Sequence, residues 1–398
     1  MHSSINWWDK FELIKFILFS DRFTNGPKVR EFEEAWAKWV GSKHALYVSS
    51  GSTANFLLLA AIKEFYNLPN GAKVLLPACT WVTNVSPVIQ LGLEPVWCDI
   101  SLKHFSFDLE KLPKDNDVRV VFVTHLLGID APIEQLKERY PKAIFLEDIC
   151  ESHGVSGPSF ERRGATSSVG STFSFYYGHH MTTIEGGMIC TNDTALYELM
   201  RLKRSHGLAR EMSPVAYAKA KADWPDIDGR FLFLSDGYNF RNNELGAVLG
   251  LSQLTRLDDS IAIRKSNYRL FVDELVKLEK HFYIPDCNSG NSSFCLPIIC
   301  KDRDLMPKLK KAFEDAGIEN RPIVGGNLLR QPFLGKWRNV KAPNADILND
   351  NGVYVGNSQF VTPEMIHELI DIVRQIINEA YPQPNEYTSE ICPAPSVA

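Results

Sequence analysis

The chain has no Cys-x-x-Cys and no Cys-x-Cys pair; its eight cysteines run from Cys79 to Cys392 without tight pairing. That leaves no basis for a zinc or redox centre built on close cysteines. Cys98, Cys190 and Cys300 sit among apolar, strand-like neighbours, which reads as reduced, buried thiols in a cytoplasmic protein. There is also no block of like charge. The 43 basic and 48 acidic residues are spread evenly and leave a net charge of -5. This argues against nucleic acid as the main partner. It does not argue against a small anionic substrate, because a local pocket can be basic on an acidic protein. No apolar run is long enough for a membrane span. The run at 11–19 is short and interrupted by Glu12 and Lys15. Residues 1–20 therefore read as an amphipathic helix, not a signal peptide or membrane span. No internal repeat or low-complexity segment is present.

What is present is ordinary for a soluble globular protein: 398 residues, 44% hydrophobic and 23% charged. That length allows two domains, one large and one small. Helical spacing recurs at Val29, Phe32, Ala35, Trp36 and Trp39, and Gly41 stands where a helix ends. Strands are expected at 44–48, 73–77, 94–100, 118–124 and 143–147. Helices are expected at 82–91 and 133–140, and another after Ser50. This alternation predicts a largely parallel sheet with helical crossovers. A strand at 171–177, a helix at 194–205 and a long irregular loop at 208–236 follow. Residues 243–280 read as one or two long helices leading into a smaller α+β domain. That domain has a strand at 294–300 and helices at 305–316 and 363–380. The expected division is 1–250, 251–380 and an extended or disordered tail at 381–398.

Several segments carry chemistry. Ser50-Gly51-Ser52-Thr53-Ala54-Asn55 joins a strand to a helix, and exposed amides at such a start form an anion site. Trp81 lies just past a strand end, where open α/β sheets place ligands; taken alone it reads rather as a core residue. The apolar strand at 145–147 ends in carboxylates, Asp148 and Glu151 following, and a buried acid needs a positive partner. Asp148 could also be a helix cap. The stretch at 171–187 reads Ser-Thr-Phe-Ser-Phe-Tyr-Tyr-Gly-His-His-Met-Thr-Thr-Ile-Glu-Gly-Gly. Its glycine pair allows a close backbone approach.

The last stretch resembles the cofactor segment of the DegT/DnrJ/EryC1/StrS sugar aminotransferases, fold-type-I enzymes acting on nucleotide-linked keto-sugars. In that family it reads Ser-Phe, three residues, Lys, a short Thr-containing run, then Glu-Gly-Gly. Counting back from Glu185, His179 occupies the position of the cofactor-bonding Lys. Imidazole cannot form a stable bond of that kind. Glu151 stands where the aminotransferases usually have Gln. Both departures match the dehydratase branch. The resemblance implies a fold-type-I aminotransferase fold: a mostly parallel central sheet with helices on both faces, plus a smaller α+β domain. It implies pyridoxal 5'-phosphate and pyridoxamine 5'-phosphate as cofactor. Gly51, Ser52, Thr53 and Ser174 would hold its phosphate, Trp81 would stack on its ring, Asp148 would face the pyridine nitrogen, and Glu151 would lie beside the ring hydroxyl. Asn239, within Gly237-Tyr238-Asn239-Phe240-Arg241, would reach the neighbouring cofactor across a homodimer. His179 would be the acid–base group, and His180 structural. His206, Arg241, Arg321 and Asn327 are candidate substrate contacts. The implied reaction removes the carbon-3 hydroxyl of a nucleotide-linked 4-keto-6-deoxyhexose, with L-glutamate as amino donor. A sugar aminotransferase tolerating His179 is the alternative. The iron–sulfur branch would need a cysteine cluster that the chain lacks. A non-enzymatic sugar-nucleotide binder would not need an electron sink at Asp148.

Overall fold

The computed structural model describes residues 4–114, 117–159 and 161–382. The chain opens with α1 (Trp7–Phe19) and α2 (Pro27–Val40), then β1 (His44–Val48) and α3 (Gly51–Phe65). It continues through β2 (Lys73–Pro77), α4 (Val82–Gln90), β3 (Glu94–Cys98), β4 (Val118–Thr124), α5 (Ile133–Arg139) and β5 (Ile144–Asp148). β6 (Gly170–Ser174), β7 (Gly187–Thr191) and α6 (Thr194–Arg204) follow. These seven strands form one sheet in the order β1-β7-β6-β5-β4-β2-β3. Every neighbouring pair is parallel except those made by β7, which is antiparallel to both β1 and β6. Strands such as β4, Val-Arg-Val-Val-Phe-Val-Thr, are buried on both faces but for Arg119, as a helix-covered parallel sheet requires.

Then come α7 (Pro214–Asp223), α8 (Glu244–Leu254), α9 (Leu257–Val276), β8 (Phe282–Tyr283), β9 (Cys295–Cys300), α10 (Leu305–Asp315) and β10 (Asn320–Pro322). α11 (Pro343–Asn351), β11 (Gly352–Gly356) and α12 (Pro363–Ala380) complete the described chain. A second, antiparallel sheet has the order β10-β11-β9-β8, with α9, α10 and α12 packed around it.

Three expectations change. The strand expected at 171–177 ends at Ser174: Phe175 N donates to the Gly186 carbonyl, and Tyr176 and Tyr177 turn outward. The loop expected at 208–236 contains α7, whose Ser213 cap and Pro214 at the first turn are ordinary start signals. α1 forms, but it is not amphipathic with an inward apolar stripe. Its one buried residue is Asp9, whose carboxylate accepts from Ser252 Oγ (2.6 Å) and Arg256 Nη1 (2.9 Å). Trp7, Trp8, Ile14, Leu18 and Phe19 face outward, the last two 70% and 84% exposed. The tail from 383 onward, Cys392 included, lies outside the described residues.

Candidate active site

The carboxyl ends of the parallel strands and the first turn of α3 meet at one edge of the large sheet. Gly187 pairs with both Val48 and Ser174, so β7 passes directly beside the loop that opens α3. A Cβ on Gly187 would lie 2.2 Å from the Ser50 carbonyl oxygen, and one on Gly51 would lie 2.6 Å from Ser174 Cβ. Glycine at both positions is thus a packing requirement that lets the three segments converge.

Ser50 caps α3: its Oγ accepts from Thr53 N (3.1 Å) and its N donates to Thr53 Oγ1 (2.9 Å). Thr53 therefore spends its hydroxyl and amide on the cap. Gly51 and Ser52, the latter exposed, head the helix beside the Ser174 hydroxyl. A helix start with such neighbours suits a phosphate.

Asp148 ends β5, buried to 3% exposure. One carboxylate oxygen accepts from Asn55 Nδ2 and Asn84 Nδ2, both at 2.8 Å, and the other from Cys150 N at 2.9 Å. Asn55 belongs to α3 and Asn84 to α4, so Asp148 is braced by the helices that carry the phosphate cup and Trp81. Thr172 Oγ1 donates to Asn55 Oδ1 (2.5 Å), and Thr80 Oγ1 to Asn84 Oδ1 (2.7 Å), which turns both amides toward the carboxylate. Among the described residues no cation is paired with Asp148. A buried carboxylate held only by neutral donors fits a ligand that brings its own positive charge. Trp81, the cap residue of α4, is 51% exposed and offers an indole face instead of packing in the core.

Glu151 accepts from Leu127 N at 3.2 Å. Burial pushes its carboxyl up to about 7, the Leu127 amide opposing and the charge of Asp148 adding to the rise. Leu127 sits at φ 56°, a left-handed turn that aims its amide at Glu151. His179 follows the turn after β6, its ring 5.5 Å from Phe294 and 6.2 Å from His153. Burial, then the guanidinium of Arg264, lowers its pKa to about 4. The imidazole is neutral at physiological pH and available as a base. His180 is buried, with Nε2 3.3 Å from the Ser292 carbonyl oxygen, a structural placement.

His206, Asn239 and Arg241 meet in a separate cluster. Arg241 Nε donates to Asn239 Oδ1 (3.1 Å), and its Nη2 lies 3.4 Å from His206 Nε2. Arg321 lies in β10 and is paired with Glu319 (2.6 Å). Asn327 is buried and committed to the fold: its Oδ1 accepts from Leu329 N and its Nδ2 donates to Asp346. Sequence reasoning did not find Asn55, Asn84, Leu127 or Arg264. The first two had a signal, amides inside apolar helical runs. Leu127 and Arg264 act through backbone and packing, which no motif displays.

The chain matches the DegT/DnrJ/EryC1/StrS aminotransferase family over residues 8–374, and it belongs to that family. Within the family it is similar to GDP-4-keto-6-deoxy-D-mannose 3-dehydratase of Escherichia coli O55:H7. The two are 33% identical over 94% of this chain and 98% of that protein. The fold matches a mutant GDP-4-keto-6-deoxymannose-3-dehydratase with bound GDP-perosamine, with a TM-score of 0.87 at 30% identity, covering 94% of this chain and 98% of that one. It also matches GDP-4-keto-6-deoxymannose-3-dehydratase with a trapped PLP-glutamate geminal diamine, with a TM-score of 0.82 at 28% identity and the same coverage. The type-I aminotransferase fold expected from the sequence is thus the fold of this chain.

Proposed function

We propose that this protein removes the carbon-3 hydroxyl of GDP-4-keto-6-deoxy-D-mannose with pyridoxal or pyridoxamine 5'-phosphate as cofactor. The reading rests on His179, a neutral imidazole that falls on the family's cofactor-bonding Lys when counted back from Glu185, and is supported by the buried Asp148, which lacks a cation among the described residues. When bound, the cofactor supplies an amine for the carbon-4 ketone and a ring that accepts electrons, and L-glutamate restores the amine. Asp148 holds the proton on the pyridine nitrogen. Trp81 stacks on the ring, Gly51, Ser52 and Ser174 hold the phosphate while Thr53, expected there from the sequence, shapes the helix start through its cap with Ser50, and Glu151 meets the ring hydroxyl. His179 takes a proton from the cofactor's methylene carbon and returns one to the departing carbon-3 hydroxyl. Because His179 cannot bond the cofactor as Lys does, water releases an unsaturated aminosugar, which takes up a second water and loses its nitrogen as ammonia to leave a 3,6-dideoxy-4-keto sugar.

The same proposal includes a homodimer in the cytoplasm. The outward apolar side chains of α1 support the dimer, and seven unpaired cysteines among the described residues support a reducing compartment. It also includes two domains. Residue 250 falls inside α8, which packs on α1 and α2, whereas α9 packs on β9 and α12. The break between α8 and α9 at 255–256 supports a division close to the expected 250. Incubation with glutamate and GDP-4-keto-6-deoxymannose, followed by mass analysis of the sugar, tests the reaction. A sugar lacking one oxygen is expected. A sugar that gains an amine and keeps every hydroxyl would make the protein an aminotransferase instead.

A further inference from the structure

Three histidines converge behind the turn that follows β6. His153 is fully buried, and its ring centroid lies 5.3 Å from that of His180 and 6.2 Å from that of His179, with the planes tilted by 32° and 31°. Among the described residues, neither nitrogen of His153 makes a hydrogen bond, and the same holds for Nδ1 of His179, Nδ1 of His180 and Oγ of Ser292. The Ser174 backbone approaches His153 without reaching hydrogen-bond geometry. Enclosed polar atoms without partners are costly in a dry interior. A ring nitrogen lies about 1.1 Å from its centroid, so nitrogens of His153 and His179 come no closer than roughly 4 Å, which is beyond a direct bond and spanned by one bridging water. A pocket lined by this many polar atoms suits such a water.

The Ser292 carbonyl gives the cluster a direction. A carbonyl only accepts, so His180 Nε2, 3.3 Å from it, carries the hydrogen. Burial keeps His180 and His153 well below the ordinary histidine range, so each ring is neutral with a single N–H. Nδ1 of His180 is then a bare acceptor. It takes the N–H of His153, which leaves the second His153 nitrogen bare. That nitrogen takes, through water, a hydrogen from Nδ1 of His179.

We propose that His153 is a positioning residue for His179, holding the hydrogen on Nδ1 through an ordered water and so leaving the Nε2 lone pair free to act as the base. The inference rests on the proposed function for the reaction that His179 performs. His179 is only half-buried, yet its Nδ1 is enclosed, so the open edge of the ring is the one that carries Nε2. Without a fixed partner at Nδ1, a neutral imidazole divides its hydrogen between the two nitrogens. The fraction with Nε2–H has no lone pair at the open edge and cannot take a proton there.

The test reads the His179 tautomer by nitrogen NMR of the cofactor-loaded protein labelled at histidine, with His179→Asn to assign the signal. The wild type should show Nδ1–H. His153→Gln keeps a donor and an acceptor, so it should keep that tautomer and a kcat within a few-fold. His153→Phe keeps the bulk and loses both hydrogen-bonding atoms. There His179 should become a mixture of tautomers, and kcat should fall by at least about tenfold, the scale of a lost orienting partner, with KM and the cofactor absorbance retained. Nε2–H in the wild type overturns the proposal and requires no variant to fold. So does an equal loss of kcat in the Gln and Phe variants, which makes His153 a packing residue. A tautomer that follows His153 in a protein that does not dehydrate the sugar upholds the positioning and removes the proposed reaction. Dehydration by a wild type carrying Nε2–H does the reverse.

Discussion

Glu147 and Asp148 are adjacent on β5, both buried, and point to opposite faces of the sheet. Their surroundings differ in kind. Glu147 is completed by the protein: His125 Nε2 lies 3.1 Å away, and Ser167 Oγ (2.6 Å) and Ser168 Oγ (2.8 Å) donate to it. Burial opposes its charge, but the His125 bond outweighs that and the pKa falls; for His125, bonds to Asp130 and Glu147 outweigh burial and the pKa rises. The pairing extends through Asp130 to Arg163 and Glu134. Asp148 is given only neutral donors. One carboxylate is finished within the fold, and its neighbour is left one positive charge short. That contrast marks which face of the strand serves stability and which serves chemistry.

The largest effects should separate this pair. Asp148→Asn removes the charge that, in the proposed function, holds a protonated ring nitrogen. Both half-reactions, with sugar and with glutamate, should slow together by roughly a hundredfold or more, the scale of a lost preorganised electrostatic group. Stopped-flow traces of each half-reaction provide the measurement; slowing of the sugar step alone would reassign Asp148 to the substrate. Glu147→Gln should do the opposite. It leaves His125 buried beside a broken pair, which destabilises by about 3–5 kcal/mol. Urea unfolding should show that loss while kcat of the folded, loaded enzyme stays within a few-fold. Similar kinetic damage from both substitutions would erase the distinction.

On the Asp148 face the base comes next. His179→Asn should keep the cofactor, because phosphate and ring contacts lie elsewhere. Dehydration should fall by at least about a hundredfold, the scale of a positioned acid–base group. Near-normal turnover would sink the assignment. His179→Lys with Glu151→Gln restores the aminotransferase pattern at both departures. The amine can then bond the cofactor aldehyde, so a visible absorption band and some 4-amino sugar are expected, with poor turnover. Unchanged dehydration with no new band would show that position 179 does not reach the cofactor.

The site was legible where chemistry coincided with a local pattern. Ser50 to Thr53 announced a helix start, and spacing from Ser174 and Glu185 separated His179 from His180. The strands of the parallel sheet read clearly because both faces are apolar. β7 did not, since a five-residue strand that opens on the second of two glycines carries too little periodicity, although β7 is what brings Gly187 to Ser50. α1 misled for a different reason. An apolar helix next to charged residues suggests an inward stripe, yet a single buried acid, Asp9, docks it and leaves the aromatics outside. Asn327 matched a pattern and proved to be a cap. Arg264 had no pattern at all; it is seen only once Nη1 is found on the Phe294 carbonyl (3.1 Å), beneath the ring that covers His179.

The smallest expected effect concerns proton inventory across the site. Base action by His179 requires the neutral ring, which holds above about 4. Glu151, raised by burial to about 7, carries a proton below that pH and can donate to the ring hydroxyl; above it the carboxylate stands 3.2 Å from the Leu127 amide as an acceptor. The rate should therefore rise as pH climbs through about 4 and fall as pH climbs through about 7. Glu151→Gln keeps a donor at every pH. The alkaline limb should flatten in that variant, with the acidic limb unmoved and the maximal kcat changed only a few-fold. A wild-type profile level from pH 6 to 9, or an alkaline limb that survives in Glu151→Gln, would show that the proton on Glu151 takes no part. Glu151 would then resemble Glu147, a carboxyl whose bonds the fold itself completes.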